Sequence, residues 1–189
     1  MNEMSRGHYS SGTLSSLLLV SMLLAALAML ASCVTTASHE TMTPLTFETG
    51  SKHQKTVSIS VEGGKEHEDL GRTQISDAEF KQALNESITK SQTFSRVMEG
   101  MNGDYLLTVV IFSIDQPAMG FSFTVKMEAG WTLKRVATGE IVWQEAIKSE
   151  HTATPGEAFA AASRLRLATA GAARNNISQG LAKISKLKL

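Results

Sequence analysis

The chain has 189 residues, 18 basic and 18 acidic side chains, 42% hydrophobic residues and one cysteine. Zero net charge gives no surplus of Lys and Arg to meet phosphate, which excludes a nucleic-acid-binding reading. A lone cysteine excludes an internal disulfide, so packing alone must stabilise the fold.

Residues 1–16 form a polar leader containing Arg6, residues 17–30 an apolar run too short to span a bilayer comfortably, and small residues then precede Cys33. This is the pattern of a signal peptide. An ordinary cleaved signal with an incidental cysteine and a short signal anchor are the competing readings. The order Leu30-Ala31-Ser32-Cys33 resembles the lipobox of bacterial lipoproteins. That resemblance implies cleavage between Ser32 and Cys33, a diacylglyceryl group on the Cys33 thiol and an acylated new amine. The partner so implied is a membrane, reached through lipid on Cys33, and several acyl chains make the attachment lasting at about 0.8 kcal/mol per buried methylene. Val34 stands where Asp marks inner-membrane retention in enterobacterial lipoproteins, so the resemblance implies the outer membrane, with the domain in the periplasm. Removing residues 1–32 takes away one acid, Glu3, and one base, Arg6, and the mature chain stays neutral.

Residues 33–55 read as the lipidated cysteine and a flexible tether, because residues 34–44 are mostly Thr, Ser, Ala and His and look too polar to bury anything. Residues 56–189 have the length of a single domain. In residues 56–61, Val57, Ile59 and Val61 alternate with Ser58 and Ser60, the period of a half-buried strand. Residues 62–74 contain Gly63-Gly64-Lys65-Glu66-His67-Glu68-Asp69, which predicts an exposed, mobile loop and a candidate variable contact surface. Ser76 and Glu79 form a capping box and Ile75 and Phe80 a hydrophobic staple, predicting a helix to about Ser91 with a buried stripe of Phe80, Ala83, Leu84, Ser87 and Ile88. Phe94 and Val97 are expected to continue the core through a turn that residues 100–104 end.

Residues 105–114 are nearly all apolar or β-branched and predict a central strand buried on both faces. Next, Phe121, Phe123, Val125, Met127, Ala129, Trp131 and Leu133 alternate with Ser122, Thr124, Lys126, Glu128, Gly130, Thr132 and Lys134, which makes one face core and the other wet or partner-facing. Thr138-Gly139 turns the chain into a second hairpin arm over residues 141–149, bearing Trp143. A closing helix is predicted from a Thr154 cap, Pro155 at its first position and Glu157 completing a box. Its stripe is Ala158, Ala162, Leu165, Thr169, Ala172 or Ala173, Ile177, Leu181 and Ile184. Gly171, Asn175, Asn176 and Gly180 are poor helix formers and make a bend or break there plausible.

The element order β-α-β-β-β-α predicts an α/β (α+β) two-layer sandwich with a mixed four-stranded sheet. The first strand runs parallel to the central one, and both helices lie on one face. Phe94-Ser95-Arg96-Val97, Asp104-Tyr105-Leu106-Leu107-Thr108-Val109 and Thr138-Gly139-Glu140-Ile141-Val142-Trp143 resemble stretches of small envelope lipoproteins. These are the lipoprotein activator of penicillin-binding proteins, the curli secretion lipoprotein and the amino-terminal domain of TolB. The likeness covers most of residues 56–187, and its motifs are structural and carry no catalytic residue. It implies this fold and a role in envelope assembly. The alanine-rich terminal segment with Arg164, Arg166 and Arg174 departs from it.

The motifs of common catalytic sites are missing from the sequence. Gly64-Lys65 lacks the earlier glycine of a phosphate-binding loop, and no G-x-S-x-G stretch occurs. His39-Glu40 and His67-Glu68 each lack the second histidine of a zinc-protease helix. His67, Glu68 and Asp69 could take up a metal only adventitiously, against the plainer reading of a solvated loop, and no cofactor is implied. Trp131 and Trp143 read as core before they read as sugar-stacking residues. The candidate partner-facing residues are Ser122, Thr124, Lys126, Glu128, Arg164 and Arg166, each with a solvated surface as its plain alternative. The expectation is therefore a non-enzymatic outer-membrane lipoprotein that binds another envelope protein. A lipid or small-ligand carrier with a cavity between helices and sheet is the first alternative, and an enzyme with an unrecognised site the second.

Overall fold

The computed structural model describes residues 37–48, 50–65 and 72–189. In chain order its elements are α1 (His39–Met42), β1 (His53–Glu62), α2 (Asp77–Ser91), β2 (Phe94–Met98), β3 (Tyr105–Asp115), β4 (Phe123–Arg135), β5 (Ile141–Ala153) and α3 (Ala161–Ile184). They form a mixed α+β fold with one five-stranded sheet in the order β2-β1-β3-β4-β5. β1 is parallel to both β2 and β3, and β3, β4 and β5 form an antiparallel meander. α2 packs on β1 and β2, α3 packs on β4 and β5, and the two helices touch, so they share one sheet face.

The core lies between these layers. Val57, Ile59, Leu107, Val109, Val125, Met127, Trp131 and Leu133 meet Phe80, Leu84 and Ile88 of α2 and Ala168, Ala172, Ile177 and Ile184 of α3, all of them buried. α2 starts where its sequence predicts: Ser76 Oγ accepts from the Glu79 N–H at 3.1 Å and the staple pair Ile75 and Phe80 is buried, while the Glu79 carboxylate that the box would turn back on Ser76 bonds His39. Asp104 fixes the start of β3, its carboxylate accepting from the Thr56 N–H and hydroxyl at 2.8 Å each while its own N–H donates to Thr56 Oγ1 at 2.9 Å. That reciprocal clasp sets the register in which Val57 pairs with Tyr105.

Several expectations need correction. The sheet has five strands, because residues 94–98 form a short parallel edge strand where a turn was expected. β3 is not buried on both faces: Tyr105, Leu107, Val109 and Ile111 are buried, but Phe112 on the uncovered side is 59% exposed. Phe121 lies outside β4 and is 83% exposed, so the core alternation begins at Phe123.

The Thr154 and Glu157 signal closes a turn instead of starting the last helix. The Glu157 carboxylate accepts from the Thr154 N–H at 2.8 Å, yet α3 begins at Ala161 behind an Ala160 cap with no side-chain bond. Ala158 is half-buried and Ala162 exposed, so the stripe starts at Leu165. Neither Gly171 nor Gly180 breaks α3, which is continuous for 24 residues.

The segment read as tether is packed where it is described. Ala37 and Met42 are completely buried, and α1 lies across α2 and α3. His39 holds it there, with Nδ1 3.0 Å from Glu79 Oε2 and Nε2 3.3 Å from Glu86 Oε1. Among the described residues, the layer between helices and sheet holds large buried side chains including Trp131, Phe80 and Leu107, so the packing there lends no support to the carrier reading.

Candidate functional site

The helices leave the other face of the sheet bare, and strand alternation decides which side chains it shows. Thr124, Lys126 and Glu128 point outward from β4, while Val125, Met127 and Ala129 between them are buried. On β5 the outward row is Lys148, Glu150 and Thr152, lying opposite Glu128, Lys126 and Thr124 respectively. The register of β3 slips between Ile111 and Ser113, which puts Ser113 opposite Glu128 and Asp115 opposite Lys126. A cleft of about 560 Å³ opens here, lined by Ser113, Asp115, Lys126, Glu128, Lys148 and Glu150 together with Met127, Ser149 and, from α3, Gln179. At its side Phe112 lies over Gly130, where a side-chain carbon would come within 2.4 Å of the ring.

Acids and bases alternate across this cleft. Lys148 is 3.6 Å from Glu128, and the Thr124 and Thr152 hydroxyls bond at 2.7 Å. Pairs this exposed contribute little to stability, about 0–1 kcal/mol, so their groups remain available to a partner. Three carboxylates against two ammonium groups give the cleft a slightly acidic balance. Its chemistry is that of charged and hydrogen-bonding groups, with Phe112 as an apolar side chain beside it.

Of the residues predicted from sequence, Thr124, Lys126 and Glu128 come together on this face, and Ser122 is exposed just before β4 begins. Arg164 does not join them. It is buried on the helix side, where its Nη1 donates to the Ala158 carbonyl at 3.0 Å and to the Phe159 carbonyl at 2.5 Å. Its guanidinium also lies 5.5 Å from the centre of the Phe123 ring. Arg166 is half-buried beside Ser163 on the same helix. Sequence reasoning missed Asp115, Lys148, Glu150 and Phe112, although the alternation of Gln144, Ala146, Lys148, Glu150 and Thr152 was there to be read.

Trp131 is core, its Nε1–H donating to Asn176 Oδ1 at 2.9 Å, and Trp143 packs partly buried against the core. Ser32, Cys33, His67, Glu68 and Asp69 lie outside the described residues. Among the described residues no three His, Cys, Asp or Glu side chains cluster as a metal set, and no helix is long and apolar enough to cross a membrane.

No protein-family model and no curated protein matches the chain. Among solved structures, protein XCC0632 of Xanthomonas campestris, from family DUF330, superposes with a TM-score of 0.54 and 9% identity, covering 76% of this chain and 89% of its own. The two share a fold. PelC from Paraburkholderia phytofirmans, a dodecamer, gives 0.48 at 14% identity over 76% and 95% of the two chains. A protein described as a candidate lipoprotein of Caulobacter crescentus gives 0.44 at 14% identity over 67% and 87%. Lipoproteins are thus among the chain's structural neighbours, while likenesses this distant speak to fold alone.

Proposed function

We propose that this protein is a lipid-anchored, non-enzymatic lipoprotein of the outer membrane whose periplasmic domain binds another envelope protein through the open face of its sheet. The observation that carries the reading is the division of the sheet: one face holds the whole core, and the other presents Lys126, Glu128, Lys148 and Glu150 around a cleft. The lipobox-like Leu30-Ala31-Ser32-Cys33 supplies the anchor, and the lipoproteins among the structural neighbours agree with it. The stretches resembling the penicillin-binding-protein activator and its relatives favour a cell-wall, secretion or outer-membrane machine as the setting.

The test is site-specific photo-crosslinking in cells. A photoreactive residue at Lys126 or Lys148 is expected to capture one reproducible envelope protein, and Lys126→Glu with Lys148→Glu to abolish the capture while the purified protein keeps its unfolding midpoint. Capture that occurs equally from Lys81 on exposed α2, or that survives both charge reversals, would sink the assignment of this face.

A further inference from the structure

One end of the sheet gathers three loops. β1 and β3 run toward it, β4 leaves from it and β5 returns to it, so the connections 116–122 and 154–160 lie there beside the start of α3, together with the segment leading into α2. Met119, Phe121 and Phe159 on these connections are 85%, 83% and 96% exposed. Scattered apolar side chains are ordinary on a surface. Three on adjoining loop tips, in a domain that fills its own core, form a patch that needs an occupant.

The loops that carry them are held from behind. The buried Arg164 donates to the Ala158 and Phe159 carbonyls, so the backbone is fixed and the Phe159 side chain presented outward. Gln116, just before the Met119 tip, accepts from the Thr73 N–H at 3.2 Å and donates to Thr169 Oγ1 at 3.3 Å. The N-terminal segment enters at the same place: the Ala37 N–H donates to the carbonyl of Gln74, the neighbour of Thr73, at 3.1 Å.

Chain length then selects the occupant. Cys33 and Ala37 are four residues apart, and an extended chain reaches at most about 3.3–3.6 Å per residue, so the lipid-bearing residue stays within about 14 Å of this end and of no other. Apolar side chains of interfacial segments sink about 5–10 Å into the headgroup boundary, a depth matched to so short a leash. We propose that this end of the domain docks on the bilayer that holds the Cys33 lipid, with Met119, Phe121 and Phe159 entering the boundary between headgroups and acyl chains. The inference rests on the lipoprotein reading above.

The full lipoprotein, purified from cells and reconstituted into phosphatidylethanolamine–phosphatidylglycerol vesicles, tests it. Acylation of Cys33 occupies the one native thiol, so Met119→Cys, Phe121→Cys and Phe159→Cys each offer a single site for an environment-sensitive fluorophore. Met101→Cys, at a residue 69% exposed at the opposite end, serves as the control. The three labels are expected to shift to the blue on reconstitution and to lose intensity with doxyl-labelled lipid, while the label at 101 does neither. Labels at 119, 121 and 159 that behave like the one at 101 overturn the docking. A blue shift without quenching by doxyl lipid also overturns it, since the tips are then covered by protein. Mass spectrometry of the N-terminal peptide separates the two failures: a Cys33 without acyl groups removes the lipoprotein reading itself.

Discussion

Gly180 reverses the usual rule for glycine in a helix. Replacing an interior helical glycine by alanine ordinarily gains about 1 kcal/mol, but here an added carbon would lie 2.5 Å from the Trp131 ring, which is fully buried and cannot retreat. Overpacking of that kind costs about 1–3 kcal/mol, so Gly180→Ala is expected to lower the urea midpoint. A raised midpoint would refute the contact. Gly171 faces the ring of His151, which is only half-buried and can swing aside, so Gly171→Ala should be much milder. Asn176 sits between them, accepting from Trp131 Nε1 and donating to the Ile147 carbonyl at 2.9 Å each. Asn176→Ala leaves both groups buried and unpaired and is expected to destabilise by about 1–3 kcal/mol in denaturant titrations. The poor helix formers of α3 are therefore the residues that let it lie close on β4 and β5. Their composition is readable in the sequence; their purpose is not, because it depends on a tryptophan some 45 positions away.

At the scale of elements, the same close approach predicts that α3 behaves as one cooperative unit. Amide exchange should show unbroken protection from Ala168 to Leu181, and a fast-exchanging window around Gly171 would restore the bend that propensity suggests. The clasp at the start of β3 makes a pH prediction. The Thr56 N–H, and then its hydroxyl, hold the Asp104 carboxyl below its ordinary pKa. A depressed carboxyl stabilises the fold fully above its unfolded pKa, about 3.9, and that contribution disappears as pH falls through the folded value. The stability difference between wild type and Asp104→Asn should thus be constant near neutrality and close below about pH 4; a difference that persists to the lowest pH would argue against the clasp. Local signals served well where they were local: the Ser76 cap, the alternation of β4 and the Thr138-Gly139 turn are all observed. β2 was hidden because five residues with a single fully buried side chain, Phe94, make no periodic pattern, and its pairing with β1 is formed across the whole of α2. The start of α3 was misplaced because Thr154 and Glu157 make their bond in a separate turn, which ends before the helix begins at Ala161.

For the whole molecule, the segment before β1 is part of the fold. It crosses the outer side of both helices, from the Ala37–Gln74 bond at one end of the sheet to the Ser51–Ser185 bond at the other. Met42→Ala is expected to cost about 2–5 kcal/mol, as for any large buried side chain, and a loss under 1 kcal/mol would return this stretch to the status of a spacer. Composition could not reveal that role, since Ala37, Met42, Thr43 and Pro44 are buried in a stretch otherwise made of Thr, Ser, His and Glu, with no apolar periodicity to announce it.

This crossing strand of chain also has a mechanical meaning. A pull applied from the N-terminal side reaches Ala37 first, then the His39 contacts with Glu79 and Glu86, then Met42, so the grips open one after another like a peeled strip. β1 resists differently: it is flanked by parallel ladders to β2 and β3 that a lengthwise pull must break together. Residues 37–48 are thus a reserve of cord, letting out about 40 Å at 3.3–3.6 Å per residue before the sheet bears load. A single-molecule trace pulled from the N-terminal side should show that small extension at low force ahead of the main rupture.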